Sequence, residues 1–135
     1  MREAVLKEFF AGNVDAKALA GDLKGAMITS DGITKHPIED MVETFQVQAD
    51  HLTRLCDAVL RGDLKPIHLQ AIGFCILASD NFEYDTDTVE GDLVGETLSD
   101  WSVPQINYPL TRDNIRKFRE RLVTGNDAFT IDDAI

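Results

Sequence analysis

Residues 79–100, SDNFEYDTDTVEGDLVGETLSD, hold eight carboxylates (Asp80, Glu83, Asp85, Asp87, Glu90, Asp92, Glu96 and Asp100) and no Lys or Arg. Three chemistries use carboxylates at such density. The first is calcium coordination, where an EF-hand loop needs oxygen donors at positions 1, 3, 5 and 12 and a glycine at 6. Counted from Asp85, the residues Asp85, Asp87 and Glu96 fall at 1, 3 and 12, but Val89 falls at 5, Glu90 at 6 and Gly91 one place late. An apolar side chain cannot ligate and the sharp turn lacks its glycine, so no structural metal is expected, only weak adventitious Ca²⁺ binding. The second is carboxylate catalysis, which needs one acid kept protonated by an apolar pocket beside one that stays ionised. Phe82 and Tyr84 interleave with Asp80, Glu83 and Asp85 and so allow one buried acid, but no motif marks a substrate cleft. The third is electrostatic: an anionic segment that meets a cationic partner.

Histidine and cysteine spacing adds no competing site. His68 and Cys75 are seven residues apart, one face but about 10 Å along a helix, too far to share a zinc ion. His51 and Cys56, five apart, point to different faces. Both cysteines sit inside apolar helical patterns and read as small buried hydrophobes in a reducing compartment, without a disulfide. There is no phosphate-binding glycine loop, nucleotide fingerprint or nucleophile elbow. A non-catalytic chain without cofactor or metal is the expectation.

Charge distribution favours the third chemistry. The net charge is −11, of which −8 lies in residues 79–105, whereas residues 1–35 and 106–135 are each balanced. Charge needed only for solubility would be scattered, while a concentrated block makes a local field that steers a cationic partner. Direct nucleic-acid binding is disfavoured, since phosphates need Lys and Arg. Residues 80–92 are the expected contact segment, with aromatic residues beside the charges to supply desolvated anchors. A soluble helical domain whose acidic segment merely keeps it dispersed is the alternative.

The elements that must position this segment read as helices. At 135 residues, 44% hydrophobic and 27% charged, the chain has the length and composition of one globular domain. Val5, Leu6, Phe9 and Phe10 share a face up to Gly12, and Asp15 caps a second helix. Ser-Asp-Gly and His-Pro mark Met27–His36 as loop. Residues 37–61 fit either a strand at 45–49 followed by a helix capped by Asp50 and ended by Gly62, or one continuous helix. Pro66 opens a helix to about Ala78, apolar almost all round and so expected at the centre. Leu93, Val94, Leu98 and Trp101 form a short helix that Pro104 ends. The last helix, capped by Thr111 or Asp113, carries Ile115, Phe118 and Leu122 and stops at Gly125, before a loosely ordered tail at 126–135.

Residues 44–62 and 107–125 match at a constant offset: Phe45 with Tyr108, Asp50 with Asp113, Leu55 with Phe118, Gly62 with Gly125. Each is an extended arm, a cap, a helix and a glycine stop, and the two arms could pair as a small sheet. The predicted fold is therefore a mainly α single-domain bundle of about six helices with at most a minor two-stranded sheet. The longest apolar run, AIGFCILA at 71–78, is too short to span a membrane. MREAVLKEFF lacks the pattern of a secretion signal, which makes the cytoplasm the expected location.

The opening AVLKEFFAGNVDAKAL, followed by further helices and an acidic, aromatic-bearing stretch, resembles the small acidic helical immunity proteins that bacteria use to neutralise nuclease toxins, of the colicin D immunity type. The resemblance covers mainly residues 4–19 plus size and charge. It implies a basic toxin partner whose cationic cleft is filled by Asp80, Glu83, Asp85, Asp87, Glu90 and Asp92, with Phe82, Tyr84 and Trp101 as aromatic anchors.

Overall fold

The computed structural model describes residues 1–24, 28–30, 33–35 and 38–134, with the backbone alone for the two middle segments. Helix α1 spans Glu3–Phe10, and after Gly12 helix α2 spans Ala16–Asp22, its first turn capped by Asp15, whose carboxylate accepts the Ala18 N–H at 2.8 Å. Strands β1 (Ile28–Ser30) and β2 (Ile33–Lys35) pair antiparallel, Ile28 opposite Lys35, where a loop was expected. β-branched residues at 28, 29, 33 and 34 suit a strand. The rest of that expected loop, Met27, Asp31, Gly32 and His36, lies outside the described residues.

The ambiguity over 37–61 resolves as strand plus helix. Strand β3 is Phe45–Gln46, and helix α3 runs from Ala49 to Arg61 and ends on Gly62 at φ 87°. Asp50 is not its cap. Gln48 precedes the helix, His51 Nδ1 accepts the Gln48 N–H at 2.9 Å, and Glu90 Oε1 accepts the Ala49 N–H at 2.9 Å. Two orphan donors are thus satisfied by a ring inside the first turn and by a carboxylate from the acidic segment. Helix α4 is Pro66–Ala78, as proline at its first position predicts. Strand β4 is Phe82–Glu83, helix α5 is Val89–Ser102, helix α6 is Arg112–Thr124, and a short 3₁₀ turn covers Ile131–Asp133.

The mainly α prediction, six helices with minor sheet, matches these elements. α4 packs on α5 and α3 on α6, and the buried interior holds Leu6, Leu52, Leu69, Ile72, Leu98, Trp101, Ile115 and Phe118. The α4–α5 contact is close because Gly73 has no side chain; a Cβ there would lie 3.0 Å from Leu98 O and 3.1 Å from Trp101 Cβ. Although α4 is apolar almost all round, it leaves Ile67 half-exposed, and Phe74 and Leu77 each 38% exposed.

The expected pairing of the 45–49 and 106–110 arms does not occur. β3 pairs parallel with β4, Phe45 opposite Phe82 and Gln46 opposite Glu83, so the sheet partner comes from the acidic segment itself. Residues 106–110 are held instead by the start of α6, where Asn114 Nδ2 donates to Pro109 O at 2.8 Å. Pro109 has no N–H to contribute to a ladder. The segment after Gly125, expected to be loosely ordered, lays Phe129 on Tyr108 (ring centroids 4.0 Å) and on Phe118 (4.7 Å), and Asp133 accepts from Lys117 Nζ at 2.6 Å.

Candidate functional site

The acidic segment is built in two halves. Its first half is the strand-like run Phe82-Glu83-Tyr84-Asp85, where alternation turns residues 82 and 84 inward and 83 and 85 outward. Burial follows that rule: Phe82 is buried, Tyr84 half-buried, Glu83 and Asp85 exposed. The strand is anchored at its start by Asn81, whose Nδ2 donates to Met41 O at 2.7 Å and to the buried Glu3 Oε1 at 3.2 Å. Phe82 joins an aromatic cluster with Phe10 (6.2 Å) and Phe45 (6.3 Å), and His51 stacks on Phe10 at 5.0 Å.

The second half is a turn that feeds α5. Asp85 Oδ1 accepts the Asp87 N–H at 2.9 Å, Asp85 O accepts the Thr88 hydroxyl at 2.7 Å, and Thr88 Oγ1 accepts the Gly91 N–H at 2.9 Å. Thr88 is therefore the cap of α5, which starts earlier than the expected short helix and takes half of the acidic segment into its first turns. Gly91 is required here, because a Cβ on it would lie 1.7 Å from Asp85 O. The glycine that stands one place too late for an EF-hand lets the loop lie across the helix. Gly95, one turn on, receives Tyr84, whose Cε2 would lie 3.0 Å from an added Cβ. Among the described residues no three His, Cys, Asp or Glu side chains are grouped to hold a metal ion.

The eight carboxylates separate by partner. Glu96 and Asp100 face Arg121 of α6, at 3.4 and 2.9 Å, and Arg121 also donates to Thr97 Oγ1 at 3.0 Å. The Arg121 side chain is 3% exposed. Burial pushes the Asp100 carboxyl up, against the downward pull of Arg121, so this pair is a structural ion bridge. The other six, Asp80, Glu83, Asp85, Asp87, Glu90 and Asp92, are exposed and have no ion-pair partner within 4.0 Å among the described residues. Glu90 uses one oxygen to cap α3.

The aromatic anchors are revised. Trp101 is fully buried, edge-on to Phe118 at 6.1 Å, and Phe82 is 4% exposed, so both rings belong to the core and neither projects as a surface anchor. The resemblance implies partner-facing anchors, whereas strand and helix periodicity carry both rings inward. Tyr84 alone of the three retains an accessible edge. The residue missed was Leu77, which lies at the end of α4 beside the segment and lines a groove with Tyr84, Glu83 and Asp85. Its signal was an apolar helix too uniform to be buried on every side.

His51, His68 and the two cysteines have structural duties. Cys56 and Cys75 are buried and unpaired; burial raises both thiols, Cys75 to about 12, which leaves them without thiolate at neutral pH. His68 Nδ1 accepts the Lys65 N–H at 3.0 Å at the start of α4, as His51 does at α3. Comparison with family models, with characterised proteins and with solved structures returns no match to this chain.

Proposed function

We propose that this chain is a non-catalytic binding protein whose residues 80–92 engage a basic protein partner, acting in the bacterial cytoplasm as an immunity-type inhibitor that occupies the cationic site of a nuclease toxin. The observation that carries the reading is the division of carboxylates: Arg121 neutralises Glu96 and Asp100, while six others stay exposed with no ion-pair partner within 4.0 Å among the described residues. Unpaired like charges repel and cost folding energy. A partner rich in Lys and Arg removes that repulsion on binding, and a nuclease carries such a site because phosphates demand it. The array then mimics the polyanion and blocks the cleft. The resemblance of residues 4–19 to the immunity proteins supports the same partner class.

Affinity capture from the native cell extract at low and high salt, followed by mass spectrometry, tests the reading. A basic protein retained at low salt and released at high salt is the expected outcome. Capture of the same proteins by a variant with Asp85, Asp87 and Glu90 neutralised would contradict it.

A further inference from the structure

The groove between the C-terminal end of α4 and strand β4 is where charge and apolar surface meet. It encloses about 550 Å³ and is lined by Gln46, Ile76, Leu77, Glu83, Tyr84 and Asp85 among others. Its apolar part is formed chiefly by Leu77, 38% exposed, and by Tyr84, half-buried against Gly95. Its ionisable rim is wholly anionic, Glu83 and Asp85, both outward-facing by strand alternation and both without a described cation within 4.0 Å. The last carbonyls of α4, a helix of 13 residues, add the negative end of its dipole at the same place. Among the described residues no Lys, Arg or His lines the groove.

We infer that this groove receives an arginine side chain of the partner, its methylene stem on Leu77 and the Tyr84 ring and its guanidinium on Glu83 and Asp85. The inference rests on the reading of the acidic segment as a binding surface and adds which part of it recognises, and by what chemistry. An apolar floor alone accepts any hydrophobic group, and exposed carboxylates alone accept any cation. Their combination selects a long apolar stem that ends in a charge. Arginine fits better than lysine, because its planar fork matches carboxylates in pairs and stacks on an aromatic face. Asp87, Glu90 and Asp92, beyond the turn, lie outside the groove and contribute field rather than contact.

The test uses the full chain and a short oligo-arginine peptide, with the oligo-citrulline peptide of equal length as the uncharged control. NMR at low salt should show saturable shifts at Leu77, Glu83, Tyr84 and Asp85 with oligo-arginine and none with oligo-citrulline. Leu77→Ala and Glu83→Gln should each weaken binding by about fivefold or more, and Asp92→Asn by less than about twofold. Shifts confined to residues 87–92, with affinity indifferent to Leu77→Ala, would overturn the groove assignment and leave the acidic-surface reading in place. Absence of any binding by oligo-arginine at low salt would overturn both.

Discussion

Gly91 is the single residue on which the shape of the acidic segment depends most. A methyl group at this position would lie 1.7 Å from Asp85 O, a backbone atom that cannot rotate away. Gly91→Ala should therefore destabilise the fold by about 3 kcal/mol or more, by the overpacking mechanism. Gly21 in α2 supplies the contrast, with nothing within 4 Å of its would-be Cβ and a helical backbone. Gly21→Ala should stabilise by about 0.5–1 kcal/mol, because it restricts only the unfolded chain. Urea denaturation of the two variants checks the pair, and equal effects at both positions would refute the stated geometry. His51 sets a second residue-scale expectation. Burial between Phe10 and Phe45 lowers its pKa, opposed by Asp50 and Glu90 and assisted by Arg54. The unfolded chain thus takes up a proton near pH 6.5 that the fold still refuses. The stabilising contribution of His51 is complete above that pH and is lost as pH falls from there towards the lower folded value. The stability advantage of the native protein over His51→Gln should shrink between pH 7 and pH 5, as read from urea midpoints; a constant difference would show that the ring is not held neutral by burial.

At the scale of elements, the ion bridge between α5 and α6 separates structural from available charge. Arg121→Met removes the cation from Asp100, Glu96 and Thr97 together, and should cost about 2–3 kcal/mol because Asp100 is largely buried. Asp92→Asn, exposed and unpaired, should change stability by less than about 0.5 kcal/mol. Thermal melts of both variants test that ordering. Helices α2, α4 and α6 were legible in the sequence because a cap or proline starts them and apolar residues fill them, and α1 because its apolar face runs up to Gly12. What was not legible depends on distant chain. The cap of α3 comes from Glu90, 41 residues on, and no local pattern announces it. β3 chose β4 over the 106–110 arm, although both arms have the same alternation, because Pro109 cannot donate and Asn114 already holds its carbonyl. The site was legible as charge but not as shape. The carboxylates are written in the sequence, whereas the groove needs the end of α4 and strand β4 side by side, and Phe82 and Trp101 were drawn into the core by periodicities that the charge pattern obscured.

For the whole molecule, the proposed function assigns the excess of exposed carboxylate on one segment to a cationic partner. Replacing Asp85 and Asp87 with Asn and Glu90 with Gln removes three charges and keeps the acceptors that Asp87 N–H and Ala49 N–H require. Stability should then stay within about 0.5 kcal/mol of the native protein, while the field falls by half of its six unpaired charges. The most direct measurement is the association rate of the captured partner with the native protein and with this triple variant, by stopped flow over a series of salt concentrations. Steering predicts a native rate that falls steeply with salt, and a variant several-fold slower at low salt with a flatter dependence, the two converging at high salt. Native and variant rates that coincide at every salt concentration would contradict the account.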